Sequence, residues 1–227
     1  MTDLPAAVRD LAARLGAQPV PAGSIVTLTQ AGRMKRKLGA RSWLSFRATQ
    51  TICTDRCGFR WTARFGPFGM VTVSDTLDPG GGRLTATALG IVPLARAGPT
   101  PALTRGELMR YLGEIALAPD IILSNPELTW RTDGPDTLIV GAGTGALAAE
   151  VTLTLDRDGR IGTIFAPDRP RSPIAPFLPT PWRGHCADYR QHRGRWLPFA
   201  ADVAWEVDGV SETYWTAEMK RWDIAAG

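Results

Sequence analysis

The stretch TRGELMRYLGEIALAP, Thr104 to Pro119, is a strong helix signal set among runs of alternating, strand-like sequence. Thr104 and Glu107 have the spacing of a capping box, and Pro119 stops the helix at its far end. Leu108, Tyr111, Leu112 and Ile115 make an apolar stripe, with Arg110 and Glu114 as an i,i+4 charge pair beside it. A lone amphipathic helix among about ten strand-like runs predicts a mostly β protein with few helices. Its antiparallel sheet is expected to be strongly curved, a half-barrel or open barrel, with this helix as its plug.

The flanking sequence supplies the strands. Val26 and Leu28 share one face of Ile25–Met34, Thr27 and Thr29 the other. Leu44, Phe46, Ala48 and Ile52 form a dry face, and Phe59 to Phe65 alternates without a fault. Such alternation marks an antiparallel sheet with one covered and one wetted side. Val71–Asp75 and Leu84–Ala88 continue it across the turn Asp78-Pro79-Gly80-Gly81-Gly82. Beyond the helix, strands are expected near 128–131, 137–140, 148–156, 161–165, 182–189, 196–205 and 214–220. The proline-rich segment Ala166–Pro181 reads as a loop that cannot join a ladder. Leu4, Val8, Leu11 and Leu15 open the chain as a short helix ended by Gly16. With no repeat and no linker, one domain over 1–227 is expected, with a helix in 1–17, strands in 25–103, the plug in 104–118 and strands again in 126–220.

Composition narrows the function classes. At 44% hydrophobic with eight tryptophans, the chain can bury a large core. It has no apolar run of the ~18–20 residues that span a bilayer as a helix. Met1-Thr2-Asp3-Leu4-Pro5 lacks the basic start and apolar stretch of a secretory signal, so a cytoplasmic setting is expected. The net charge of +4 is mostly arginine, densest at Arg33, Lys35, Arg36 and Lys37. That cluster is either a solvated hairpin tip that discourages edge pairing or a basic loop facing a membrane surface. No nucleic-acid reader motif accompanies it.

Known chemical motifs are missing or lack their context. Gly141-Ala142-Gly143-Thr144-Gly145 is followed by a strand, Val151 to Leu155, whereas a phosphate loop needs a helix there, so the glycines mark a hairpin turn. Cys53, Cys57, His185 and Cys186 lack a zinc spacing, and adjacent His185 and Cys186 on a strand point to opposite faces. No metal or cofactor is expected, and the cysteines read as free thiols. The informative residues are polar ones on dry faces: Gln30 in line with Val26 and Leu28, Gln50 with Phe46 and Ala48, Asp75 with Val71 and Val73. Buried, each needs a polar partner, and Arg110 and Glu114 are the candidates if the helix is wrapped on two sides.

The pattern Gln30-x-Gly32, Trp43-x-x-Phe46-x-Ala48-x-Gln50, Phe59-x-Trp61, Asp75 and Arg110-Tyr111-Leu112-x-Glu114 resembles an uncharacterised bacterial family known only as a domain of unknown function. The likeness runs nearly end to end and names no activity. Its strand-rich pattern with a plugging helix is similar to the unclosed half-barrel of lipoprotein carriers, which hold acyl chains on a concave sheet. The expected function is non-enzymatic binding of a hydrophobic small molecule or lipid. Gln30, Gln50, Asp75, Arg110 and Glu114 would face its polar end, and Trp61, Tyr111 and Trp130 its apolar wall. The alternatives are an enzyme using Asp75 or Glu114 as general base on a small hydrophobic substrate, and a structural or interaction domain with no pocket.

Overall fold

A computed structural model of the protein describes residues 4–171 and 176–226. The opening Met1-Thr2-Asp3 and the middle of the proline-rich segment lie outside the described residues. The chain runs α1 (Ala6–Leu15), β1 (Ile25–Met34), β2 (Leu44–Cys53), β3 (Phe59–Phe65), β4 (Val71–Asp78), β5 (Gly81–Ala88), β6 (Val92–Ala97) and α2 (Pro101–Gly113). It continues through a 3-10 turn (Glu114–Leu117), α3 (Ile121–Ser124), β7 (Thr129–Thr132), β8 (Thr137–Ala142), β9 (Ala149–Leu155), β10 (Ile161–Pro170), β11 (Pro179–His192), β12 (Arg195–Val207) and β13 (Val210–Ala225).

Among the described residues thirteen strands form one sheet, in the order β6-β5-β4-β3-β2-β1-β13-β12-β11-β10-β9-β8-β7. Every neighbouring pair is antiparallel, and the sheet curls through 245° without closing. Two meanders, β1–β6 and β7–β13, join only where β1 pairs with β13. This topology explains the plug. The two free edges are β6 and β7, consecutive in the chain, so the segment linking them has to cross the open side of the barrel. That segment carries α2, which packs on β4 and β5 on one flank and on β8, β9 and β10 on the other. The edges are protected in different ways: β6 contains Pro93, and β7 has four residues.

The helix starts earlier than its capping box suggests. Thr100 is the N-cap, its hydroxyl accepting from the Leu103 amide at 3.2 Å, and Pro101 occupies the first turn, where its missing N–H costs nothing. Thr104 lies inside the helix, and its hydroxyl accepts instead from the Gly82 amide of β5 at 2.9 Å. That contact requires Gly82, because a Cβ there would meet the Thr104 Cα at 2.9 Å. Gly81 and Gly82 therefore belong to a strand that touches the helix, and the β4–β5 turn is shorter than its glycine run implies.

The proline-rich segment is a second correction. Its two ends extend the β10–β11 ladder, with Arg169 opposite Thr180 and Pro170 opposite Pro179. Prolines here occupy the last rungs, where a missing donor is tolerated. The edge strand β6 carries no alternating signal, because its side chains are almost all exposed.

Candidate functional site

The concave face and the plug enclose a cavity of about 280 Å³. It lies just below the range of about 300–1,000 Å³ typical of small-molecule sites. Its wall is apolar and aromatic, with Trp61, Trp182, Trp205, Trp215, Ile164 and Val203 among the lining residues. One glycine helps to create the space. In β11 the inward row is Trp182, Gly184, Cys186, so a bare Cα stands where a bulky side chain would fill the interior.

The polar end of the cavity is built around Arg110, which projects from α2 toward β2–β4. Its Nη1 donates to Asp75 Oδ2 at 2.8 Å and its Nε to Glu114 Oε1 at 2.9 Å. The guanidinium lies 4.7 Å from the Phe59 ring centroid and 5.2 Å from that of Trp61. Gln50 donates from Nε2 to Glu114 Oε2. Trp61 donates from Nε1 to Gln30 Oε1 at 3.0 Å. The helix is buried on several sides, which brings Arg110 and Glu114 largely off the solvent and onto the misfit polar residues of β2 and β4, while Gln30 of β1 is met by Trp61 instead.

The electrostatics of this end are tense. Burial pushes the Asp75 carboxyl above its ordinary range, opposed by the charges of Arg110 and Arg169. Burial, with the Asp75 charge adding to it, lifts Glu107 to about 7. Burial works against the charge on Arg110, yet Glu114, Asp75 and Glu107 together hold it protonated and push its pKa up. Arg169 lies 3.7 Å from Glu107 and stacks on Trp182 and Trp205 at 4.9 and 5.4 Å. Three buried acceptors here have no donor: Gln50 Oε1, Asp75 Oδ1 and Glu107 Oε2. The Gln50 amide cannot be turned to relieve this, because its oxygen would then face the Glu114 carboxylate.

Six of the eight residues singled out in the sequence line this cavity: Gln30, Gln50, Trp61, Asp75, Arg110 and Glu114. Tyr111 and Trp130 do not. Tyr111 is fully buried on another side of α2, where its hydroxyl donates to the Cys53 carbonyl at 3.0 Å and accepts from Asn125 Nδ2 at 2.9 Å. Trp130 is on the edge strand β7, away from the hollow. The lining residues Arg169, Trp182, Trp205 and Trp215 are additional. Arg169 stands among prolines that read as loop. The inward direction of the tryptophans depends on strands paired far apart in sequence.

His185, Cys186 and Asp202 also reach the cavity, with His185 Nδ1 3.3 Å from Asp202 Oδ2. Burial raises the Cys186 thiol to about 12, so it is protonated and unreactive at neutral pH. Cys53, Cys57 and Cys186 are free thiols. Among the described residues no group of three or more His, Cys, Asp or Glu is placed to hold a metal.

A curved antiparallel half-barrel with a helix across its mouth and a hollow beneath it defines a class of open-barrel protein. This chain belongs to the family of unknown function DUF6544, whose model matches residues 1–217. No curated protein matches it. Among solved structures it is similar to a LolA superfamily protein from Nitrosomonas europaea, at 9% identity and a TM-score of 0.52 over 95% of this chain and 92% of that one. It is also similar to a porin-like protein from Bacteroides uniformis (12% identity, TM-score 0.30, 90% and 98% covered). A third likeness is to a beta-barrel-like protein of the domain of unknown function DUF1849 from Brucella abortus (11%, 0.26, 92% and 99%). The first likeness is one of fold, and it agrees with the half-barrel of lipoprotein carriers that the sequence resembles.

Proposed function

We propose that this protein binds a single-chain hydrophobic small molecule or lipid in the concave cavity, without catalysing a reaction on it. The observation that carries this reading is the hollow itself, an aromatic wall ending in one compact polar cluster. Trp61, Trp182, Trp205 and Trp215 would flank the chain, and Gln30, Gln50, Asp75, Arg110 and Glu114 would meet its polar end. The donorless oxygens of Gln50 and Asp75 need partners that water or a ligand can supply.

Native mass spectrometry of freshly purified protein, before and after solvent extraction, tests the proposal. A discrete mass lost on extraction is the expected result. Gly184→Leu should then abolish the adduct while leaving the fold intact, since a Cβ at Gly184 meets nothing closer than Ile164 Cδ1 at 3.4 Å. An absent adduct, together with unchanged tryptophan fluorescence during a fatty-acid titration, would sink the idea.

A second reading, an enzyme acting on a small hydrophobic substrate, has one observation in its favour. Asp75 lines the cavity and burial lifts its carboxyl, as a general base requires. Against it, Arg110 holds that carboxylate at 2.8 Å. Recovery of the bound compound chemically unchanged after long incubation supports binding over turnover.

A further inference from the structure

The alternating strands put two unrelated surface features at one end of the half-barrel. Strand register aligns Met34 with Leu44, Phe46 with Phe65, Phe65 with Val71, Val71 with Ala88, and Ala88 with Val92. The β1–β2 tip, the β3–β4 connection and the β5–β6 tip therefore share one rim. The first carries the basic cluster. The other two carry large apolar side chains held in solvent: Phe68 is fully exposed, Ile91 is 82% exposed and Leu89 68%. Met70 and Val92 add to the patch, and the Leu89 amide donates to the Met70 carbonyl at 2.7 Å, which ties the two turns together.

The local backbone makes this exposure notable. Phe68 and Leu89 have φ of 57° and 52°, in the left-handed region where glycine or asparagine is usual. A bulky apolar residue there gains no burial and takes on strain, so neither folding nor solubility accounts for it. The basic half of the rim is equally unspent. Arg36, Lys37, Arg41 and Arg64 are exposed, and among the described residues no carboxylate pairs with them. Lys35 bonds to Glu212 at 2.7 Å, and Arg33 and Lys35 lie 5.4 and 5.3 Å from the Trp43 ring, which stiffens the base of the tip.

We infer that this rim docks on an anionic lipid bilayer, with Phe68, Leu89 and Ile91 entering the interface and the β1–β2 tip facing the headgroups. Apolar tips beside unpaired cations match such a surface in both its chemistries. A second copy of this chain fits less well, because a twofold contact through this rim would bring like charges together. The rim also leads to the hollow. Met34, at the root of the basic tip, pairs with Trp215, and both line the cavity. The docking does not depend on what fills that cavity.

Vesicle flotation tests it. The full chain should float with mixed phosphatidylcholine–phosphatidylglycerol vesicles. It should bind at least about tenfold more weakly to pure phosphatidylcholine or at high salt, given roughly fivefold in affinity per basic residue at the surface. Phe68→Ser with Ile91→Ser, and separately Arg36→Glu with Lys37→Glu, should each reduce binding by about tenfold or more. All four side chains are exposed, so circular dichroism should be unchanged. Arg56→Glu, in the β2–β3 turn at the opposite end, should bind like the parent. The inference is overturned if the parent does not float, if it floats equally with neutral vesicles, or if the rim variants bind normally. It is also overturned if those variants instead convert a concentration-dependent oligomer to monomer, which would assign the rim to self-association.

Discussion

Arg195 forms a buried ion pair and Arg110 a partly buried one, and their surroundings differ. Arg195 donates from Nε to Asp120 Oδ2 at 3.0 Å and from Nη1 to the Arg193 carbonyl at 2.8 Å, while Asp120 Oδ1 also accepts from the Gln18 amide at 2.7 Å. That cluster joins β12, the start of α3 and the segment after α1, and it has no donorless acceptor among its members. Around Arg110 three acceptors lack donors, and the cluster borders a hollow. The Asp120–Arg195 cluster is closed and holds the fold together. Its counterpart at Arg110 is open, as a site awaiting water or a ligand is.

The largest expected effect tests the closed cluster. Arg195→Met leaves Asp120 fully buried without its cation, and should lower the guanidinium unfolding free energy by about 3–5 kcal/mol. A loss below about 1 kcal/mol would mean that the pair is not structural. The open cluster should respond otherwise. Replacing it whole by apolar residues, as Asp75→Leu, Arg110→Met and Glu114→Leu together, should leave stability unchanged or raise it by up to about 4 kcal/mol. The same triple variant should lose any extractable ligand in native mass spectrometry. A large loss of stability would show that this cluster, too, serves the fold.

Glu107 sharpens the contrast through pH. Its folded pKa is about 7 against an ordinary 4.5, so between those values the native state holds the extra proton. Stability therefore falls as pH rises through that window, and the penalty is complete above pH 7. Glu107→Gln should flatten this dependence in denaturant titrations across pH and be more stable above neutrality, by at most about 3 kcal/mol. A parent whose stability rises from pH 5 to 7 would contradict the assignment. The smallest effect is expected at Gln50→Leu. It removes one bond to Glu114 and one donorless oxygen, so the unfolding free energy should stay within about 1 kcal/mol of the parent.

The open cluster was legible in the sequence because its members break a rule. Gln30, Gln50 and Asp75 sit on faces whose neighbours are apolar, and a buried polar group announces a partner. The closed cluster gave no such signal. Asp120 follows Pro119 in a connecting segment, and Arg195 follows the Arg193-Gly194 turn, so neither interrupts a periodic face. Trp130 was misjudged because a tryptophan on a strand carries no mark of which edge that strand will occupy. Tyr111 was misplaced because a helix wrapped on several sides buries residues that serve different neighbours. Arg169 was hidden by prolines, which argue against a ladder except at its last rungs.

The alternating faces of most strands and the amphipathic helix between the two strand-rich halves follow from the chain alone. Alternation and helical spacing are properties of a few consecutive backbone dihedrals, and they need no distant partner to be read. Which polar groups meet, where the hollow forms and which tips share a rim were decided only by the tertiary structure. Those depend on the pairing of β1 with β13 and on the angle through which the sheet curls, quantities set by side chains nearly two hundred positions apart.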